Sequence, residues 1–145
     1  MEFDDAYPSC RDTHATVRIF SKTDDPSAIS QLLSMQCTSS YLVGDRISSR
    51  STRLRDTNAW FLRSKDSVDS LDCRRHLNWL CDQLSACHPQ IRELVSRGAN
   101  CDITCFWVSA IGQGGPSFSP GDFDKLSKLG LPLWFDIYSG TNDRG

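Results

Sequence analysis

The chain has 145 residues, a length that fits one domain and can bury roughly 70% of its unfolded surface without disulfide staples. Sixteen Lys and Arg against eighteen Asp and Glu leave a formal charge of -2, which argues against a nucleic-acid coat or a binder of anionic membrane surfaces. The opening Met1-Glu2-Phe3-Asp4-Asp5 carries acids where a secretory leader would be basic, and no apolar run approaches the length of a membrane span, so a cytoplasmic protein is expected.

In chain order, residues 1–13 lack periodicity and read as an N-terminal extension, residues 14–139 as one α+β domain, and residues 140–145 as a flexible tail. A strand is expected over about 15–21, where apolar residues alternate with polar ones. It leads into a helix that Asp25 caps and Pro26 starts, since proline's missing N–H costs nothing at the first helical position. Ile29, Leu32 and Leu33 form its apolar stripe. Tyr41-Leu42-Val43 and Ala59-Trp60-Phe61-Leu62 read as short strands joined by a polar loop. Cys73, Leu77, Leu80, Cys81 and Leu84 recur at the spacing of a helix buried along one face. A shorter helix with Ile91, Leu94 and Val95 follows Pro89 and stops at Gly98.

The second half repeats the opening pattern. A strand over about 101–109 passes through Gly112-Gln113-Gly114-Gly115 to a helix that begins Ser119-Pro120, with Asp122 completing a capping box and Phe123, Leu126 and Leu129 as its stripe. A last strand runs from Leu133 to Tyr138. The order β-α-β-β-α(α)-β-α-β predicts a ferredoxin-like sandwich: a mostly antiparallel sheet with helices covering one face. Trp79, Trp107 and Trp134 are expected to bury large areas in it.

These features, taken in order, resemble a bacterial family catalogued as domain of unknown function 4279. The likeness covers about residues 14–139. It rests on the opening strand with its Asp25-Pro26 helix, Gly44 followed by arginines, Asn58-Ala59-Trp60-Phe61-Leu62-Arg63-Ser64, and the helix around Leu77-Trp79-Leu80. The terminal Ser119-Pro120, Leu126, Leu129-Gly130 and Phe135-Asp136-Ile137-Tyr138 complete it. Gln36-Cys37-Thr38 departs from the family, which tends to place a proline before the Thr. The resemblance implies a fold and no reaction. Small bacterial domains of this kind often serve as immunity proteins or other interaction partners, an analogy of fold and not of site.

Candidate chemistry is thin. The seven cysteines, at 10, 37, 73, 81, 87, 101 and 105, are odd in number and mostly embedded among apolar residues, which suits reduced, buried thiols. Cys73 and His76 sit one helical turn apart, with Cys81 near, but a tetrahedral metal site needs further donors; a buried thiol and a partly exposed histidine are the simpler reading. Cys10 with His14 lacks a third group to orient the base, and Asp122, Asp124 and Asp136 suit capping and solvation. The glycine-rich turn lacks the lysine of a phosphate loop and reads as a flexible connection. No catalytic residue, metal or cofactor is therefore expected.

Arg46, Arg50, Arg53 and Arg55 crowd one polar loop with Tyr41 beside it, and arginine suits bidentate capture of carboxylates. The loop offers no aromatic residue to stack bases before Trp60, so a protein partner is favoured over nucleic acid. Glu2, Asp4 and Asp5 form a second candidate patch, suited to a basic cleft. The expectation is a non-enzymatic immunity protein that binds a cognate toxin and occludes its active site. The alternative is a regulatory domain that binds a small molecule on the open sheet face or beside the 112–119 loop.

Overall fold

A computed structural model describes residues 2–140; of the tail expected over 140–145, residues 141–145 lie outside them. The elements are β1 (Cys10–Ser21), α1 (Pro26–Leu33), β2 (Ser39–Tyr41), β3 (Asn58–Arg63), α2 (Cys73–Leu84), α3 (His88–Ser96), β4 (Asn100–Ser109), α4 (Pro120–Ser127) and β5 (Leu133–Ser139). They form a five-stranded sheet in the order β2-β3-β1-β4-β5.

The sheet is mixed, which corrects the expectation of a mostly antiparallel one. β1 pairs antiparallel with β3 and β4, and β2 antiparallel with β3, while β5 runs parallel to β4. The cause is the connection: α4 carries the chain back over the sheet before β5 begins, so β5 enters beside β4 in the same direction.

Period-two alternation sorts the strands' residues. Ala15, Val17 and Ile19 of β1, Trp60 of β3, and Ile103 and Cys105 of β4 are almost wholly excluded from water on the face that the helices cover. Each fully buried aliphatic side chain of this kind contributes about 1.5–3 kcal/mol. The α2 stripe of Cys73, Leu77, Leu80, Cys81 and Leu84 is buried as its spacing predicts. Trp60 lies beneath α1, its indole Nε1 donating to Ser30 Oγ at 2.9 Å. Trp60 and Trp107 are the fully buried tryptophans; Trp79 is half-buried and Trp134 is 44% exposed, against the expectation for both. Trp134 fails as a core residue because its partner in the register, Thr104, stands on the uncovered face.

The helix ends follow the sequence. Asp25 accepts the Ala28 N–H at 2.8 Å, Asp72 caps α2 by accepting the Arg74 N–H, and Ser119 and Asp122 complete the capping box of α4. Gly98 follows α3 at φ +99, which a residue with a Cβ adopts only under strain.

β1 begins at Cys10, five residues before the expected start, and residues before it are bound down. Leu71 N donates to Asp5 O at 3.0 Å, and Tyr7 Oη donates to Gly115 O at 2.7 Å. The glycine-rich turn is therefore held, where a flexible connection was expected. Ser109 Oγ donates to Gln113 O and accepts the Gly112 N–H, and a Cβ on Gly114 would stand 2.7 Å from Ser9 Cβ.

Candidate functional site

Among the described residues the helices cover one face of the sheet and leave the other uncovered. At its centre Arg18 of β1 stands opposite Asp102 of β4 in the register, and its guanidinium donates twice to that carboxylate, Nε at 2.8 Å and Nη2 at 2.6 Å. The carboxylate holds the Arg18 pKa above its ordinary value. The same guanidinium lies 5.2 Å from the Phe20 ring centre and 5.4 Å from that of Trp134. Phe20 meets Phe61 edge-on, and Phe61 meets Tyr41. Toward the other end of the strands His14 stacks on Phe106 at 4.7 Å, and Phe106 touches Tyr138.

The expected arginine loop continues from this face. Gly44 N donates to Arg55 O at 2.8 Å, Arg55 N to Asp45 O at 2.7 Å, and Ile47 N to Arg53 O at 3.0 Å. These bonds fold residues 44–55 into an irregular hairpin with one bridge, Arg46 to Leu54. Arg55 lies over the Tyr41 ring at 4.0 Å and donates from Nη2 to Ile47 O, so the stem of the hairpin is anchored to the uncovered sheet face. Arg46, Arg50 and Arg53 are exposed, and among the described residues their side chains enter none of the ion pairs. Leu42, Val43 and Leu54 stand exposed among them. Residues 42–57 hold four arginines against Asp45 and Asp56, a basic patch on an acidic chain.

The acidic N-terminal candidate has another use. Asp5 accepts Arg75 Nε at 2.7 Å and Ser70 Oγ at 2.6 Å, bonds that hold its carboxyl below the usual range. Asp4 offers its backbone N–H to Asp72 at 2.9 Å, and the Glu2 carbonyl accepts from Arg74. These residues strap the N-terminal segment to the start of α2, while the arginine hairpin belongs to the β2–β3 connection.

Cys73 and His76 do not form a metal pair. His76 is buried at 2% exposure, where a partly exposed ring was expected, and its ring nitrogens meet Ser64 Oγ at 2.6 Å and Ser70 O at 2.9 Å. Cys73 packs with Cys10, Cys105 and Trp107. Its pKa is raised by a hydrogen bond with Cys105 and by burial, while burial pushes Cys10, Cys81 and Cys101 up to about 11. These thiols stay protonated and inert at neutral pH. Cys10 lies in the core and His14 on the uncovered face, so they do not meet. Asp122 is occupied by Ser119, Asp124 pairs with Lys128, and Asp136 accepts the Tyr138 hydroxyl. Among the described residues, no group of three or more His, Cys, Asp or Glu is arranged to hold a metal ion, and no helix is long and apolar enough to cross a membrane.

Sequence reasoning found the arginines but missed the Arg18–Asp102 centre. The signal was present: Arg18 and Phe20 alternate with Val17 and Ile19 along one strand, which places a cation and an aromatic ring on the face opposite the core. Among curated proteins and solved structures, neither comparison yields a match to this chain. A family model described as Domain of unknown function (DUF4279) matches residues 11–140, and the chain belongs to that family.

Proposed function

We propose that this chain is a non-enzymatic, cytoplasmic protein-binding domain of the immunity type, which covers the active site of a cognate toxin with its arginine hairpin and the adjoining sheet face. We read its β2-β3-β1-β4 sheet with α1, α2 and α3 as a ferredoxin-like sandwich to which α4 and β5 are appended. The strand order and the two central antiparallel pairings support that reading.

The observation that carries the function is the hairpin's composition. Arg46, Arg50 and Arg53 are free of ion pairs among the described residues and stand between exposed Leu42 and Val43 on one side and exposed Leu54 on the other. Interface centres combine apolar area with arginine anchors in this way. The partner surface it suits is acidic and partly apolar. Tyr41 under Arg55 fixes the hairpin's stem, so little conformational freedom is lost there on docking. Glu2, Asp4 and Asp5 hold a lesser place in this reading, because Asp5 is already engaged by Arg75 and Ser70.

The test is calorimetry with the protein encoded by the adjacent gene. Binding is expected, with an association rate that falls as salt rises, and the triple change Arg46→Glu, Arg50→Glu, Arg53→Glu should weaken it by about a hundredfold or more. Binding untouched by the triple change would place the contact elsewhere; no binding would remove the immunity reading.

A second reading, a small-molecule regulatory domain, draws support from an open groove of about 630 Å³ between α4 and β5, lined by Phe118, Phe123, Leu126, Leu131, Leu133 and Phe135. Its volume falls within the range of ligand sites. A metabolite that raises the unfolding midpoint of the isolated protein would favour it.

A further inference from the structure

The two edges of the sheet are unlike. β2 ends it with three residues and passes into the charged hairpin, a short edge of the kind that resists pairing with other chains. β5 ends it with seven, Leu133–Ser139, containing one acid and no lysine, arginine or proline. Apolar side chains stand exposed on both of its faces: Trp134 and Tyr138 on one, Ile137 on the other, with Phe123 of α4 beside it. Among the described residues its outer side has no neighbouring strand.

We propose that β5 pairs antiparallel with β5 of a second copy of this chain, joining two sheets into one ten-stranded sheet across a two-fold axis at Phe135. The backbone sets which residues can pair. Pro132 O accepts from Ile103 N at 2.8 Å and Gly140 N donates to Ser109 O at 2.7 Å, so the even-numbered residues turn their polar groups toward β4. By alternation, Leu133, Phe135 and Ile137 turn their N–H and C=O groups outward.

Side chains then choose the register. An axis at Asp136 would set that carboxylate against its own copy, a like-charge pair that opposes association. An axis at Phe135 sets Phe135 against Phe135 and Leu133 against Ile137 on the helix-covered face. On the other face it sets Trp134 against Asp136, and no charge meets its like. The area is sufficient. Trp134, Tyr138, Ile137 and Phe123 are each about half uncovered, and with large side chains burying on the order of 150–250 Å² each, two copies supply on the order of 800 Å². The paired strand edges bring this to the roughly 1,000 Å² that a specific interface needs. The arginine hairpin lies at the opposite edge of each sheet, so dimerisation leaves both hairpins free, and failure of one proposal leaves the other standing.

Sedimentation equilibrium from about 1 to 100 μM, the range in which an interface of this size associates, should show twice the chain mass. Ile137→Lys should weaken the dimer by about tenfold or more with an unchanged circular dichroism spectrum, since Ile137 is 59% exposed. The register has its own readout. Trp134→Cys and Asp136→Cys, mixed and mildly oxidised, should give a disulfide-linked heterodimer that neither variant forms alone. A monomer at every concentration, a dimer indifferent to Ile137→Lys, or no heterodisulfide would each overturn the proposal.

Discussion

Replacing His76 with Leu asks whether the buried relay between β3 and α2 holds the fold together. His76 Nε2 lies 2.9 Å from Ser70 O, a group that only accepts, so Nε2 carries the proton and Nδ1 accepts the Ser64 hydroxyl at 2.6 Å. Ser64 Oγ in turn accepts the Ala15 N–H at 2.9 Å, and Ser64 N donates to Ala15 O at 2.9 Å. A side chain thus completes the sheet ladder at the end of β3 and ties it to the helix above. Leucine fills most of the imidazole's space but leaves the Ser70 carbonyl and the Ser64 hydroxyl without this partner. At about 1–3 kcal/mol per buried unsatisfied group, partly relieved by rotation of the hydroxyl, the expected loss is about 2–4 kcal/mol. That is a large share of a typical domain stability of about 5–15 kcal/mol.

The pH profile separates this relay from simple packing. Burial holds the His76 pKa below its ordinary 6.5, partly opposed by the Ser70 bond and by Asp12, Asp72 and Asp5. His14 is also held low, by burial and then by Arg63. The unfolded chain therefore binds protons at a higher pH than the folded one. The stability tied to neutral histidine is complete above about pH 6.5 and is lost as pH falls through the folded value, by at most about 1.4 kcal/mol per pH unit for each ring. Asp5 and Asp72, both held below 3.8, lose their contribution only at lower pH. Urea unfolding followed by tryptophan fluorescence, from about pH 7.5 to 5, should show the native protein weakening. The Leu variant should start lower and fall less steeply, retaining only the His14 part. A variant as stable as the native protein at neutral pH, or one with an unchanged slope, would refute the relay's role.

Three further outcomes follow from burial and exposure. Six cysteines are buried and Cys37 is half-buried, so one thiol should react quickly with Ellman's reagent in the native state and all seven in denaturant; several fast thiols would show a looser core. Trp60→Ala should cost about 3–5 kcal/mol by urea titration, from lost volume and an unpartnered Ser30 hydroxyl, and a cost under about 1 kcal/mol would contradict its placement. The Arg18–Asp102 pair is bidentate but its side chains are 28% and 25% exposed. A double-mutant cycle should return a coupling of only about 0.5–1 kcal/mol that shrinks with salt; a salt-insensitive coupling would mean that the face is covered.

Elements whose chemistry is local were legible in the sequence. The Asp25-Pro26 and Ser119-Pro120 starts and the α2 stripe depend on residues a turn or two apart, and each stands where its spacing placed it. What failed depended on distant partners. Phe123 continues the stripe of α4 yet is 58% exposed, because α4 lies over α2 toward the end of the sheet and only Leu129, just past the helix, is fully covered. β1 starts earlier than its apolar alternation because Arg11 and Asp12 carry no apolar signal; the pairing of Cys10 with Ser109 and of Asp12 with Val108, with the register shifting at Arg11 between them, makes this stretch strand.

The candidate site divides along the same line. Arginines clustered in one loop are visible in any reading, but whether they are engaged is a long-range property, and the two charged patches came out oppositely. Asp5 finds Arg75 and Ser70 across some seventy residues of chain, while Arg46, Arg50 and Arg53 find no acid among the described residues. Asp45 and Asp56 flank the hairpin, and Asp45 already spends an oxygen on the Leu42 N–H at 2.8 Å. Holding uncompensated like charges together disfavours the compact hairpin, and its leucines, about half exposed, give back only part of the packing of buried ones. The charge crowding opposes folding of the isolated chain, and both features are relieved by an acidic surface with an apolar centre. Arg46→Ser, Arg50→Ser, Arg53→Ser should therefore fold at least as stably as the native protein while losing the proposed docking. A marked loss of stability in that variant would assign the arginines to the fold, and the docking proposal would go with them.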